Sequence, residues 1–150
     1  MKILAFLALA SVLGLGQQLP PKQVVFVCEH GAAKSVIAAA YFNKLAAERH
    51  LNYQAIARGT TPQEDLSASA VAGLKRDAVP FPASDKPKAL TPAEAKGATR
   101  VVAFCPLPAA LKPPGAEIYD VPGPSPSYDQ SRDAILVRVR ALLDDLQKQP

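Results

Sequence analysis

Residues 24–35, VVFVCEHGAAKS, decide how the rest of this chain is read. The apolar run 24–27 ends at Cys28. Lys34 and Ser35 follow six and seven residues later, and a helical apolar pattern then begins. That order predicts a buried strand, a tight loop and a helix start, with a cysteine at one end of the loop and a cation at the other. Backbone N–H groups at a helix start attract anions and favour thiolate over thiol. A loop of this kind can hold an oxyanion over a nucleophilic sulfur.

Outward from the loop, apolar residues Val36, Ile37, Ala40, Tyr41 and Leu45 fall on one stripe of a helix expected over about 35–49. Further strands are expected at 53–57, 100–104 and 117–119. Helices are expected over about 67–76 and 129–147, the last with Ile135, Val139, Leu142, Leu143 and Leu146 as its buried stripe. Arg58-Gly59-Thr60-Thr61-Pro62 reads as a turn. Residues 77–92, rich in Pro, Lys and Ser, read mainly as a surface loop in which Lys86 and Lys88 are solvated. The run Thr91-Pro92-Ala93-Glu94 has the form of a helix start, with Thr91 as cap and Glu94 three residues on. DVPGPSPSY, 120–128, reads as a proline-stiffened loop.

Strands alternating with helices imply a single α/β domain, a four-stranded parallel sheet with helices on both faces. Ligands of such sheets bind at the carboxyl ends of the strands. Cys28, Arg58, Cys105 and Asp120 all follow expected strands and are therefore expected at one edge.

The chain has 150 residues, enough for one core, and a net charge of +4. Without basic blocks or interleaved aromatics, nothing suggests nucleic-acid binding. The two cysteines allow at most one disulfide and have no zinc-type spacing. A nucleotide P-loop would need glycines at 28 and 33, where Cys28 and Ala33 stand. Residues 1–16 read as an export signal: Lys2 is the charged start, an apolar run reaches Leu15, and Gly14 and Gly16 suit cleavage before Gln17. The run is short for a membrane span, so the mature domain, 17–150, is expected to be periplasmic or secreted and free of the membrane. An uncleaved anchor is the alternative.

Cys28-x5-Lys34-Ser35 resembles the Cys-x5-Arg-Ser loop of the low-molecular-weight protein tyrosine phosphatases and the related thioredoxin-coupled arsenate reductases. Ile56-Ala57-Arg58-Gly59-Thr60 is similar to that family's turn after its second strand. Tyr128 with Arg132-Asp133-Ala134-Ile135 is similar to the start of its last helix. The resemblance implies Cys28 as nucleophile on a phosphomonoester, a cysteinyl-phosphate intermediate and no metal or organic cofactor. It implies that amides of Glu29, His30, Gly31, Ala32, Ala33 and Ser35 surround the oxyanion, and that the Ser35 hydroxyl assists the thiolate. The partner would be a phosphorylated small molecule, a phosphoprotein, or an oxyanion such as phosphate or arsenate.

Two departures matter. Lys34 stands where the family has Arg, and an ammonium cannot reproduce the two-oxygen grip of a guanidinium. Activity is then attenuated unless Arg58 supplies the missing group. The family's Asp-Pro is read here as Asp120-Val121-Pro122, giving Asp120 as the acid that protonates the leaving group. If Gly123-Pro124 is the equivalent instead, the acid is missing and Asp129 is a helix cap. Cys105 is either a buried small hydrophobe or a redox partner of Cys28, as in arsenate reduction. His30 either favours the thiolate or faces solvent, and Glu29 is expected to point away while its amide binds. A non-catalytic oxyanion-binding protein is the remaining alternative.

Overall fold

The computed structural model describes residues 19–149. The reading of 1–16 as an export signal lies outside the described residues. Among these, no helix is long and apolar enough to cross a membrane.

The chain forms β1 (Lys22–Cys28), α1 (Lys34–Glu48), β2 (Tyr53–Gly59), α2 (Ala68–Arg76), α3 (Pro92–Gly97), β3 (Arg100–Ala103), a 3₁₀ turn (Ala109–Leu111), β4 (Glu117–Ile118) and α4 (Tyr128–Gln147). The four strands make one parallel sheet in the order β2-β1-β3-β4. Alternation along β1 divides the core. Val24, Phe26 and Cys28 join α1, α2 and α4 on one face. Val25 and Val27 join Leu90, Ala95, Val101 and Ala103 on the other. Helices thus cover both faces unequally, three on one and the six-residue α3 on the other.

β2 is longer than expected. Arg58 and Gly59, read as a turn, continue the ladder opposite Val27 and Cys28. Gly59 also meets the chain beyond 87, donating its amide to the Lys88 carbonyl and accepting from Leu90. The loop 77–92 therefore closes part of the free edge of β2. The start of α3 is a complete capping box between Thr91 and Glu94. At α4 the cap is Ser127, which accepts from the Gln130 amide. Asp129, read as the possible cap, lies in the first turn and pairs with Arg76 and Arg132.

Candidate active site

The loop between β1 and α1 is held from outside by its carbonyls. Those of Cys28, Glu29, His30 and Ala32 accept from the amides of Thr60 (3.1 Å), Thr61 (2.7 Å), Gln63 (3.2 Å) and Ser67 (2.9 Å). The Ala33 carbonyl accepts from Ile37 at 3.0 Å. Carbonyls committed in one direction leave the intervening amides facing the other. Among the described residues, no amide of 29–36 donates to a backbone carbonyl outside the regular elements. Ala33, at the N-cap of α1, has no side-chain acceptor for the first-turn amides. A concave set of unpaired N–H groups at a helix start is an anion-binding arrangement.

Gly31 makes this shape possible. Its φ is +62°, and a Cβ there would sit 2.8 Å from the Gly59 amide nitrogen. Gly59 is similarly restricted, with a Cβ meeting Gly31 nitrogen at 2.7 Å. The two glycines let the loop lie directly on the end of β2.

At the floor, Cys28 Sγ lies 3.1 Å from Ser35 Oγ, with both residues buried. Ser35 can donate to a thiolate. The Lys34 ammonium donates to the Phe104 carbonyl at 3.1 Å and the Val121 carbonyl at 3.2 Å. It ties the start of α1 to the end of β3 and to the loop before α4. An ammonium has three N–H donors, so one remains for an anion.

A cavity of about 340 Å³ opens over Cys28. Glu29, His30, Lys34 and Cys105 line it with Cys28, and Gly123, Pro124 and Ser125 form part of its wall. Both cysteines are free thiols. Burial pushes the Cys105 thiol up, opposed by a Thr60 hydrogen bond; nearby Cys28 raises it and Lys34 lowers it.

Two sequence-predicted residues are not brought to this cavity. Asp120 is exposed and outside the lining, beside Val121, whose side chain is buried and whose carbonyl is held by Lys34. Gly123-Pro124 occupies the wall instead. Arg58 supplies no guanidinium to the loop: its Nε and Nη2 donate to Glu94 at 3.0 and 2.7 Å. Strand alternation is the reason. Arg58 pairs with Val27, on the α3 face, whereas Cys28 faces α1. Glu94 is in turn held below the usual carboxylate range, chiefly by the Arg58 hydrogen bonds.

Glu29 is 69% exposed, as expected for a residue contributing only its amide. His30 is 54% exposed, and its Nδ1 lies 3.2 Å from the Thr61 carbonyl. Sequence reasoning missed Thr60, Thr61, Gln63 and Ser67 as the ties of the loop. Their contribution is backbone N–H, which leaves no signature in residue type. Tyr128 starts α4 as expected but is buried against Gly73, away from the cavity lining.

No protein-family model and no curated protein matches the sequence. Solved structures do. The structure of YfkJ from Bacillus subtilis has a TM-score of 0.74 at 19% identity, over 89% of this chain and 100% of that one. A thioredoxin-dependent arsenate reductase from Corynebacterium glutamicum gives 0.68 at 23% identity, over 85% of this chain and 63% of that one. A low-molecular-weight protein tyrosine phosphatase from T. tengcongensis gives 0.65 at 20%, over 85% and 98%. The fold of the chain is the one these proteins share.

Proposed function

We infer that the chain is a cysteine-dependent phosphatase acting on phosphomonoesters through a cysteinyl-phosphate intermediate. One observation carries this reading: a buried cysteine sits 3.1 Å from a buried serine hydroxyl, beneath a loop whose Cys28, Glu29, His30 and Ala32 carbonyls are tied from outside. Simple anion binding would need the amides but not the sulfur. The low-molecular-weight tyrosine phosphatase that shares the fold adds support.

In this reading the Cys28 thiolate attacks phosphorus. The loop amides and the third N–H of Lys34 take the oxyanion charge. Ser35 stabilises the thiolate when water releases phosphate. Lys34 supplies positive charge without the guanidinium fork, and two of its donors are already committed. By analogy with other oxyanion donors, the missing fork costs roughly 10²–10³ in turnover. We further read residues 1–16 as an export signal, so the enzyme would work outside the cytoplasm.

The test is p-nitrophenyl phosphate turnover by residues 17–150, beside Cys28→Ser and Lys34→Arg. Turnover is expected in the parent, to vanish in Cys28→Ser and to rise in Lys34→Arg. An inactive parent and an inactive Lys34→Arg would remove the phosphatase reading and leave arsenate reduction or non-catalytic oxyanion binding.

A redox reading is favoured by one observation, the presence of Cys28 and Cys105 in the lining of one cavity. Arsenate reduction through a Cys28–Cys105 disulfide would require their Cα atoms within about 7 Å. The raised Cys105 thiol is a poor attacking group at rest, which places this reading second.

A further inference from the structure

Phosphoryl transfer to Cys28 leaves negative charge on the departing oxygen, and a poor leaving group needs a proton there. This question rests on the phosphatase reading. The titratable side chains that line the cavity are Cys28, Glu29, His30, Lys34 and Cys105. Cys28 is the nucleophile. Lys34 already spends two N–H groups on carbonyls, and burial pushes the Cys105 thiol up. The Glu29 side chain is 69% exposed to solvent. Imidazole is the side chain that both holds and releases a proton in the working range. The wall residues Gly123, Pro124 and Ser125 offer no acidic proton, and Asp120 lies outside the lining.

We propose that His30 is the catalytic acid and base of this site, in the role that the family resemblance offered to Asp120. His30 lines the cavity over Cys28, and its ring is held through Nδ1. The Thr61 carbonyl, 3.2 Å from Nδ1, accepts a hydrogen bond and so fixes a proton on that nitrogen. Nε2 is then the atom that gains and gives the second proton. The Glu29 carboxylate lies 4.0 Å from Nε2, an opposite charge beside the imidazolium.

In the first step the Sγ–P bond forms and the P–O bond to the leaving group breaks. The electron pair stays on the leaving oxygen, and Nε2–H gives that oxygen its proton. In the second step water attacks phosphorus and loses a proton to Nε2. The Sγ–P bond breaks, its electron pair returns to sulfur, and inorganic phosphate departs.

The experiment compares kcat/KM on phenyl phosphate and p-nitrophenyl phosphate for the parent, His30→Asn and Asp120→Asn. Asparagine keeps an N–H where Nδ1 donates to Thr61, so His30→Asn preserves the loop tie and removes only the transferable proton. His30→Asn is expected to lose about 10²-fold on phenyl phosphate and less than about tenfold on p-nitrophenyl phosphate, whose leaving group needs no proton. Asp120→Asn is expected to match the parent on both. An unchanged ratio in His30→Asn, or the selective loss appearing in Asp120→Asn, overturns the assignment while leaving the phosphatase reading intact. A parent that hydrolyses neither ester removes both.

Discussion

Gly31 shows how much of the site depends on an absent side chain. Its φ of +62° costs another residue about 1–3 kcal/mol. A Cβ would also press on Gly59 nitrogen at 2.8 Å and Arg58 carbon at 3.1 Å, both backbone atoms of a paired strand. Gly31→Ala is therefore expected to lower stability by at least about 2 kcal/mol and Tm by on the order of 4 °C per kcal/mol. It should also displace the loop amides, so esterase activity should fall further than the folded fraction does. Calorimetry and p-nitrophenyl phosphate turnover on one preparation check both. Single residues were legible where chemistry and spacing coincide. Cys28 and Ser35, seven apart across a strand–loop–helix, meet as expected. Arg58 lies on the face opposite Cys28 by strand alternation, but its ion-pair partner Glu94, 36 residues away, leaves no local signature. Asp120 falls outside the cavity lining, in a proline-stiffened loop with no periodicity to fix its phase.

Helix α2 meets α4 where a glycine faces an aromatic ring. A Cβ on Gly73 would lie 2.2–2.4 Å from the ring atoms of Tyr128. That ring is buried, with the guanidinium groups of Arg76 and Arg132 at 5.2 and 5.7 Å from its centroid. In an unobstructed helix, Gly→Ala stabilises by about 1 kcal/mol. Here the overlap should outweigh that gain by about 1–3 kcal/mol. Gly73→Ala is expected to destabilise, whereas the same change in a Tyr128→Ala background should stabilise. The reversal of sign, read by urea unfolding of the four proteins, measures the helix–helix contact. Equal signs in both backgrounds would mean the ring relaxes freely. Element positions were legible because hydrophobic periodicity and caps are local: the Thr91–Glu94 box is complete, and strand and helix bounds shift by one or two residues. The cap of α4 moved to Ser127 because Ser127 and Asp129 are equally good acceptors by type, and only the approach of the chain selects between them.

The whole molecule is tied across α1, α2 and α4 by one carboxylate. Asp77 follows α2 and accepts from Tyr41 Oη of α1 at 2.7 Å, Arg76 Nε at 3.0 Å and Arg132 Nη1 of α4 at 3.0 Å. Burial alone raises this carboxyl, but hydrogen bonds from Tyr41, Arg132 and Arg76 outweigh it and hold Asp77 well below the usual carboxylate range. The parallel four-stranded sheet and the two-faced core were legible from alternating strands and helices, while this network was not, because it joins positions 41, 76, 77 and 132 only after three helices pack on one face. Its sign with pH is definite. A carboxyl depressed by folding stabilises the native state fully above its unfolded value of about 3.9, and that stabilisation is lost as pH falls through the folded value. Asp77→Asn removes the charge while keeping the size, and at pH 7 it should cost about 2 kcal/mol. Glu94 is likewise held below its usual range by Arg58 and is untouched by the change. Urea midpoints from pH 7 to pH 2 are therefore expected to fall for both proteins, with the gap between them constant above about pH 5 and narrowing below pH 4. A gap that stays constant down to pH 2 would show that shape at position 77, rather than its charge, joins the three helices.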